Sequence, residues 1–218
     1  MPSRKDLKKQ KEKTSQALIK AALQLCAEEG YASLSLRSVA RKAGIAPTSF
    51  YRHFREIDEM GVAMIVQAKE VLNDCLAQAR KKMTFPAITK NDSPPLLLKS
   101  IECMSRPFVE TFINFFKKNN QLLHLFFQER TGSSEAMRTA IFDATDQLTE
   151  LLAENLTQLS KSAKSNPVDI QLIAESMLTI VSASGMEMLV HTEVKSSEIS
   201  GRAIQKLNRL LLGALIYE

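Results

Sequence analysis

An all-helical fold is what this sequence predicts, and three observations carry the prediction. Apolar residues recur at three- and four-residue steps over most of the chain, and the period-two alternation of a half-buried strand does not stand out anywhere. Only seven glycines and seven prolines punctuate 218 residues, which favours long helices over many short strands. A hydrophobic content of 44% and a charged content of 24% are those of a globular chain, so wholesale disorder is excluded.

The first helix is marked from Thr14 onward by Ala17, Leu18, Ala21, Ala22, Leu25 and Cys26, with Thr14 or Ser15 as its cap and Gly30 as its stop. Ser35 then caps a short helix carrying Val39, Ala40 and Ala43, closed by Gly44. A third begins at Pro47, a residue suited to a helix's first turn because its missing N–H is not needed there, and puts Phe50 and Phe54 on its inner face. Two short helices joined across Gly44-Ile45-Ala46 make a helix-turn-helix, with Ile45 plugging the gap between them. A longer helix follows, capped at Asp58, packing Val62, Ile65, Val66, Lys69, Leu72 and Leu76, and running to Lys82. Three prolines and an NDS cluster make residues 83–95 a loop. Helical periodicity resumes over residues 96–118, 121–129, 134–160, 168–194 and 197–217.

Charge divides the chain. Residues 1–55 hold 12 Lys/Arg against 4 Asp/Glu, a net of +8; residues 56–218 hold 17 against 20, a net of −3. A basic first quarter points to a polyanion as its partner. The lysine run at the very start reads equally as a solvated tail. Two domains follow: 1–55, which meets a polyanion, and 56–218, which does something else.

The block from Ala32 to Met60, SLRSVARKAGIA followed by Phe50-Tyr51-Arg52-His53-Phe54, resembles the DNA-binding signature of the TetR family of bacterial transcriptional repressors. The wording SLSLRSVARKAGIAPTSFYRHF, with QERTGSS at residues 128–134, is most similar to the branch that represses unsaturated fatty acid biosynthesis. The resemblance implies a repressor that binds a palindromic double-stranded operator as a homodimer and responds to a hydrophobic small molecule, a long-chain acyl thioester of coenzyme A or acyl carrier protein. The other ligand class this family offers is drug-like, with an efflux pump as the target.

In such a motif the second helix enters the major groove with its N-terminal side chains at the base edges. Ala46, Pro47, Thr48 and Ser49 are then deepest, and Tyr51, Arg52 and His53 follow on the outward arc. Ser35 and Arg37, at the start of the preceding helix, fit phosphate contacts. Where the family has a lysine three residues after the His-Phe pair, this chain has Ile57, which leaves that contact to Arg55 or abolishes it.

Met104, Phe108, Phe112 and Phe115 lie at helical steps, and Phe127, Phe142 and Met177 follow; each is core or the lining of an acyl-chain pocket. Ile204, Leu207, Leu211 and Leu215 give the last helix an apolar face, and Ser184, Gly185 and Met188 in the helix before it allow close approach. Together they predict a two-fold four-helix interface. Glu129 and Arg130 read as an internal ion pair or a helix-end bond in preference to a ligand contact.

Enzymatic motifs are missing: there is no GxSxG, HExxH or phosphate-binding glycine loop, and His53, His124 and His191 are scattered. The sequence therefore predicts no enzyme, no metal and no cofactor. Cys26, Cys75 and Cys103 lack a CxxC pair and read as reduced thiols. No apolar leader opens the chain, and no uninterrupted run approaches the ~18 apolar residues of a membrane span. The expectation is a cytoplasmic protein with no membrane partner.

Overall fold

The computed structural model describes residues 3–84, 92–159, 167–190 and 195–216, which are helical or in turns, with no strand among them. In chain order the helices are α1 (Arg4–Glu29), α2 (Leu36–Lys42), α3 (Pro47–Phe50), α4 (Ile57–Lys82), α5 (Pro94–Lys118), α6 (Asn120–Gln128), α7 (Glu135–Leu159), α8 (Pro167–Val190) and α9 (Ser196–Ile216). Of the expected 83–95 loop, residues 85–91 lie outside the described residues.

The helix expected to start at Thr14 starts three turns earlier. Ser3 and Asp6 form a capping box: the Ser3 side chain accepts from the Asp6 N–H at 3.2 Å, and the Asp6 carboxylate accepts from the Ser3 N–H at 3.0 Å. No breaker intervenes before Gly30, so Thr14 lies mid-helix and its hydroxyl donates to the Gln10 carbonyl. At Gly30 the backbone turns to φ 81°, which ends α1 where the sequence places the end. The N-terminal residue of α4 is Ile57, so Asp58 lies in its first turn and does not cap it. Val66, expected on the packed side of α4, is exposed.

Two compact units emerge, grouped differently from the division into 1–55 and 56–218. The first combines residues 1–68 with 121–144; the second combines 69–120 with 145–218.

In the first unit α1 packs on α2, and α2 on α3. Leu18, Ala22, Val39, Ala40, Phe50, Met60 and Met64 are fully buried there. Tyr31 is an anchor that the periodicity did not reveal: its hydroxyl donates to Asp58 Oδ1 at 3.0 Å and reaches the Ile57 carbonyl at 3.2 Å, tying the turn after α1 to the start of α4. Burial and the Asp58 carboxylate both push the Tyr31 pKa up, so it stays a neutral donor.

Glu129 is buried in the same unit, and no ion pair among the described residues joins it to Arg130. The helix-end bonds come from Arg138 instead, whose guanidinium donates to the Gly132 carbonyl at 2.7 Å and to that of Ser133 at 2.9 Å. Burial pushes the Glu129 carboxyl pKa up. The folded chain therefore holds that proton more tightly than the unfolded chain. Its stabilisation is full below the ordinary value of 4.5 and is lost as pH rises through the raised folded value. Glu129→Gln keeps the shape without the charge. It is expected to raise Tm at neutral pH and to flatten that limb of the stability curve in thermal melts across pH; an unchanged neutral Tm would show that the ionised carboxylate carries no penalty.

The second unit is built on α5, α8 and α9, which pack pairwise. Pro107 lies inside α5 and cannot donate to the Cys103 carbonyl four residues back; the Thr84 N–H takes that acceptor at 3.4 Å. Ser105, fully buried on α5, donates to Asn208 of α9 and pins the pair in register. Between residues 170 and 189, α8 has a mean hydropathy of 1.3, long and apolar enough by composition to cross a membrane. It nonetheless carries Glu175 and Glu187, and Ala174, Met177, Val181 and Ser184 are buried inside the unit.

Candidate nucleic-acid interface

The N-terminal site is built from one turn and one very short helix. Ser35 caps α2 through its hydroxyl, which accepts from the Ser38 N–H at 3.1 Å, while the Ser38 hydroxyl accepts from the Ser35 N–H at 3.0 Å. After Lys42, Gly44 takes φ 69°, a conformation costly to any side chain with a Cβ, and the chain reverses through half-buried Ile45. Pro47 opens α3 as expected.

Only Pro47–Phe50 is regular helix, but the turn continues it: the His53 N–H donates to the Phe50 carbonyl at 2.8 Å and the Phe54 N–H to the same oxygen at 3.0 Å. Phe50 and Phe54 are buried, with ring centroids 5.7 Å apart, and they orient the whole element. What remains outside is the predicted set. Ala46, Pro47, Thr48 and Arg52 are exposed, Ser49 and His53 are half-buried, and Tyr51 is 61% exposed with its ring edge-on to Phe50. On α2, Ser35 and Arg37 are also exposed.

Lys42 is not free in the same way, because it pairs with Glu28 of α1 at 3.2 Å. Ile57 is half-buried at the start of α4, so the exposed basic side chain in that stretch is Arg55. His53 Nδ1 is buried without a hydrogen-bond partner among the described residues. Burial, then the charges of Lys11 and Arg52, hold its pKa below the ordinary 6.5, so the ring is neutral at neutral pH. The nearness of Lys11 is a feature that sequence spacing did not reveal.

The expected pocket residues separate. Met104, Phe108, Phe112, Phe115 and Met177 belong to the second unit, all buried except half-buried Phe115. Phe127 and Phe142 belong to the first. Phe127 is half-buried and packs edge-on to Phe126 at 5.2 Å. Phe142 is 66% exposed, so neither the core nor the pocket reading holds for it; Ile141 takes the inward position on α7 and the next residue is turned out.

The expected dimer residues also differ in placement. Ile204, Leu207 and Leu211 are buried on α9, which packs on α5 and α8 within the chain. Ser184 is buried with its hydroxyl on the Ile180 carbonyl, and Gly185 lies against the Phe116 ring. These five offer a second copy almost no surface; their burial is satisfied internally. Met188 is half-buried, and the side chain of Leu215 lies outside the described residues. The outward side of α8 carries Leu172, 61% exposed, with Thr179 and Ala183 also exposed.

Cys26 and Cys75 are free thiols whose pKa burial pushes up to about 12, Glu129 adding to the effect at Cys26. Neither is a poised nucleophile at neutral pH.

Residues 18–64 match the family of bacterial regulatory proteins, tetR family. Among solved structures, the chain resembles a tetR-family transcriptional regulator from Streptomyces coelicolor (13% identity, TM-score 0.63, 95% of this chain and 84% of that one). It also resembles the fatty acid degradation regulator FadR from Bacillus halodurans (16%, TM-score 0.65, 88% and 93%). A third likeness is to the multidrug binding protein EbrR complexed with imidazole (20%, TM-score 0.58, 90% and 93%). Residues 18–64 thus match the tetR-family model, and the described residues, helical or in turns, share the fold of these solved regulators.

Proposed function

We propose that the chain is a homodimeric repressor that reads a palindromic operator through α3 and answers to a long-chain acyl thioester, with fatty acid biosynthesis genes as its targets. The observation that carries the DNA reading is the division of α3 and the turn that continues it into a buried Phe50/Phe54 side and an exposed Pro47, Thr48, Tyr51, Arg52 side. Small groups at Ala46–Ser49 allow close approach to base edges, and the Thr48 side chain offers both a methyl for thymine and a hydroxyl. Tyr51, Arg52 and His53 serve the phosphates. His53 enters uncharged, with Nδ1 buried and its pKa held below the ordinary value.

A second copy is required because two recognition helices must meet successive major grooves about 34–36 Å apart. The half-exposed apolar side of α8 supports the association. The ligand acts only through a difference in affinity between two spacings of the paired heads. The fatty-acid reading is supported by the QERTGSS resemblance and by the Phe-rich α5, which suits an apolar acyl chain.

The test begins with a duplex selected by the protein from a random-sequence pool. Thr48→Ala removes the hydroxyl and the methyl together and Tyr51→Phe removes a hydroxyl; each is expected to cost at least about 0.5–1.5 kcal/mol of binding, roughly 2- to 12-fold in a gel shift at fixed salt. If both variants bind like the parent, the assignment of α3 fails. The likeness to a multidrug-binding protein keeps a drug-like effector, and an efflux pump as target, as the second reading. A thermal-shift panel separates them: stabilisation by long-chain acyl thioesters and not by cationic dyes supports the first, and the reverse supports the second.

A further inference from the structure

The unexpected length of α1 creates a surface that the helix-turn-helix does not account for. Among the described side chains of α1, burial begins at Leu18, and those of Lys5, Asp6 and residues 8–13 are exposed. Residues 4–13 hold six basic residues (Arg4, Lys5, Lys8, Lys9, Lys11, Lys13) against Asp6 and Glu12, a net of +4. Asp6 is occupied by the capping box with Ser3. None of the ion pairs among the described residues takes up Lys8 or Lys11.

Position along the helix gives this charge a direction. Lys8, Lys11, Ser15, Leu18, Ala22 and Leu25 follow one another at alternating steps of three and four, so they share one face of α1. Leu18, Ala22 and Leu25 on that face are buried, and α1 packs on α2. The buried face of α1 therefore continues outward as a basic row, about 15 Å from Leu18 to Lys8 at 1.5 Å per residue. An independent observation agrees: Lys11 lies near enough to His53, at the end of the recognition element, for its charge to disfavour the imidazolium. The row thus starts beside the residues assigned to phosphate and leads away from them.

We propose that the first turns of α1 are a second DNA-gripping element, in which Lys8 and Lys11 contact the phosphate backbone flanking the bases read by α3. This rests on the DNA-binding reading above and adds to it a contact that carries affinity without base preference. Two neighbouring lysines on a preformed helix meet the backbone with the arm already ordered, whereas a frayed tail would first have to lose conformational freedom.

The test is the salt dependence of binding by the full chain and by its Lys8→Gln/Lys11→Gln double variant. Both are measured with the selected duplex and with a scrambled duplex of the same length. Each phosphate contact contributes about 0.9 to the slope of log K against log salt. The variant is expected to lose about 1.8 of that slope on both duplexes while its preference between them is kept. Circular dichroism and a thermal melt confirm that the variant is folded. An unchanged slope in a folded variant overturns the arm proposal and leaves the recognition helix standing. A loss confined to the selected duplex also overturns it, since the lysines would then be reading sequence. If the parent protein selects no duplex at all, the DNA reading falls and the arm falls with it.

Discussion

Phe50→Ala is expected to destabilise the N-terminal unit by about 3–5 kcal/mol, the range for emptying a fully buried aromatic site. Phe50 has no exposed surface and contacts Phe54 from within a helix of four residues. So short a helix has no stability of its own, because nucleation alone is unfavourable and propagation never repays it. Its direction is set by the ring beneath it. The variant should therefore lose DNA binding together with local structure: a lower Tm, faster amide exchange over residues 45–54, and no retained duplex. Phe50→Leu refills most of the volume and should recover much of both. If Phe50→Ala melts like the parent yet fails to bind, the ring acts on DNA directly and the inward assignment is wrong.

Gly185→Ala is expected to destabilise the second unit by about 2 kcal/mol, although alanine is the better helix former by ~1 kcal/mol. A Cβ at this position would clash with the Phe116 ring, which is itself buried on α5. An aromatic ring in a close-packed site cannot slide aside as the end of a flexible chain does, so overpacking at about 1–3 kcal/mol outweighs the propensity gain. Gly201, on α9 in the same unit, has nothing within 4 Å of its would-be Cβ, and Gly201→Ala should raise Tm slightly. Phe116→Leu in the Gly185→Ala background makes room, and a double-mutant cycle should show favourable coupling between the two positions. Additivity would mean that Gly185 and Phe116 do not compete for space.

The two cases mark where sequence reasoning reached and where it stopped. Phe50 and Phe54 were legible because spacing of four on a helix is a local property, and the glycine and proline that frame them act on their own backbone. The same holds for Gly30, Ser35 and the end of α4 at Lys82. Gly185 was less legible, because a small residue in an apolar helix permits close approach without naming the partner. The sequence suggested another subunit, and the partner is Phe116 of the same chain. Ile204, Leu207 and Leu211 were correctly read as a face needing cover, yet the cover is α5 and α8. Phe142 went the other way, apolar and turned out.

By itself, then, the sequence determined the helical class, the helix-turn-helix and the polarity of its recognition element, since each follows from periodicity, caps and turns within a dozen residues. Only the tertiary structure decided which of two apolar faces is internal, that residues 121–144 join the N-terminal unit, and that Tyr31 is fastened to Asp58. It also decided that the lysines before Thr14 stand on α1 itself. The reason is physical: burial is non-directional and indifferent to sequence distance, so an apolar pattern states that a partner exists and leaves its identity to packing.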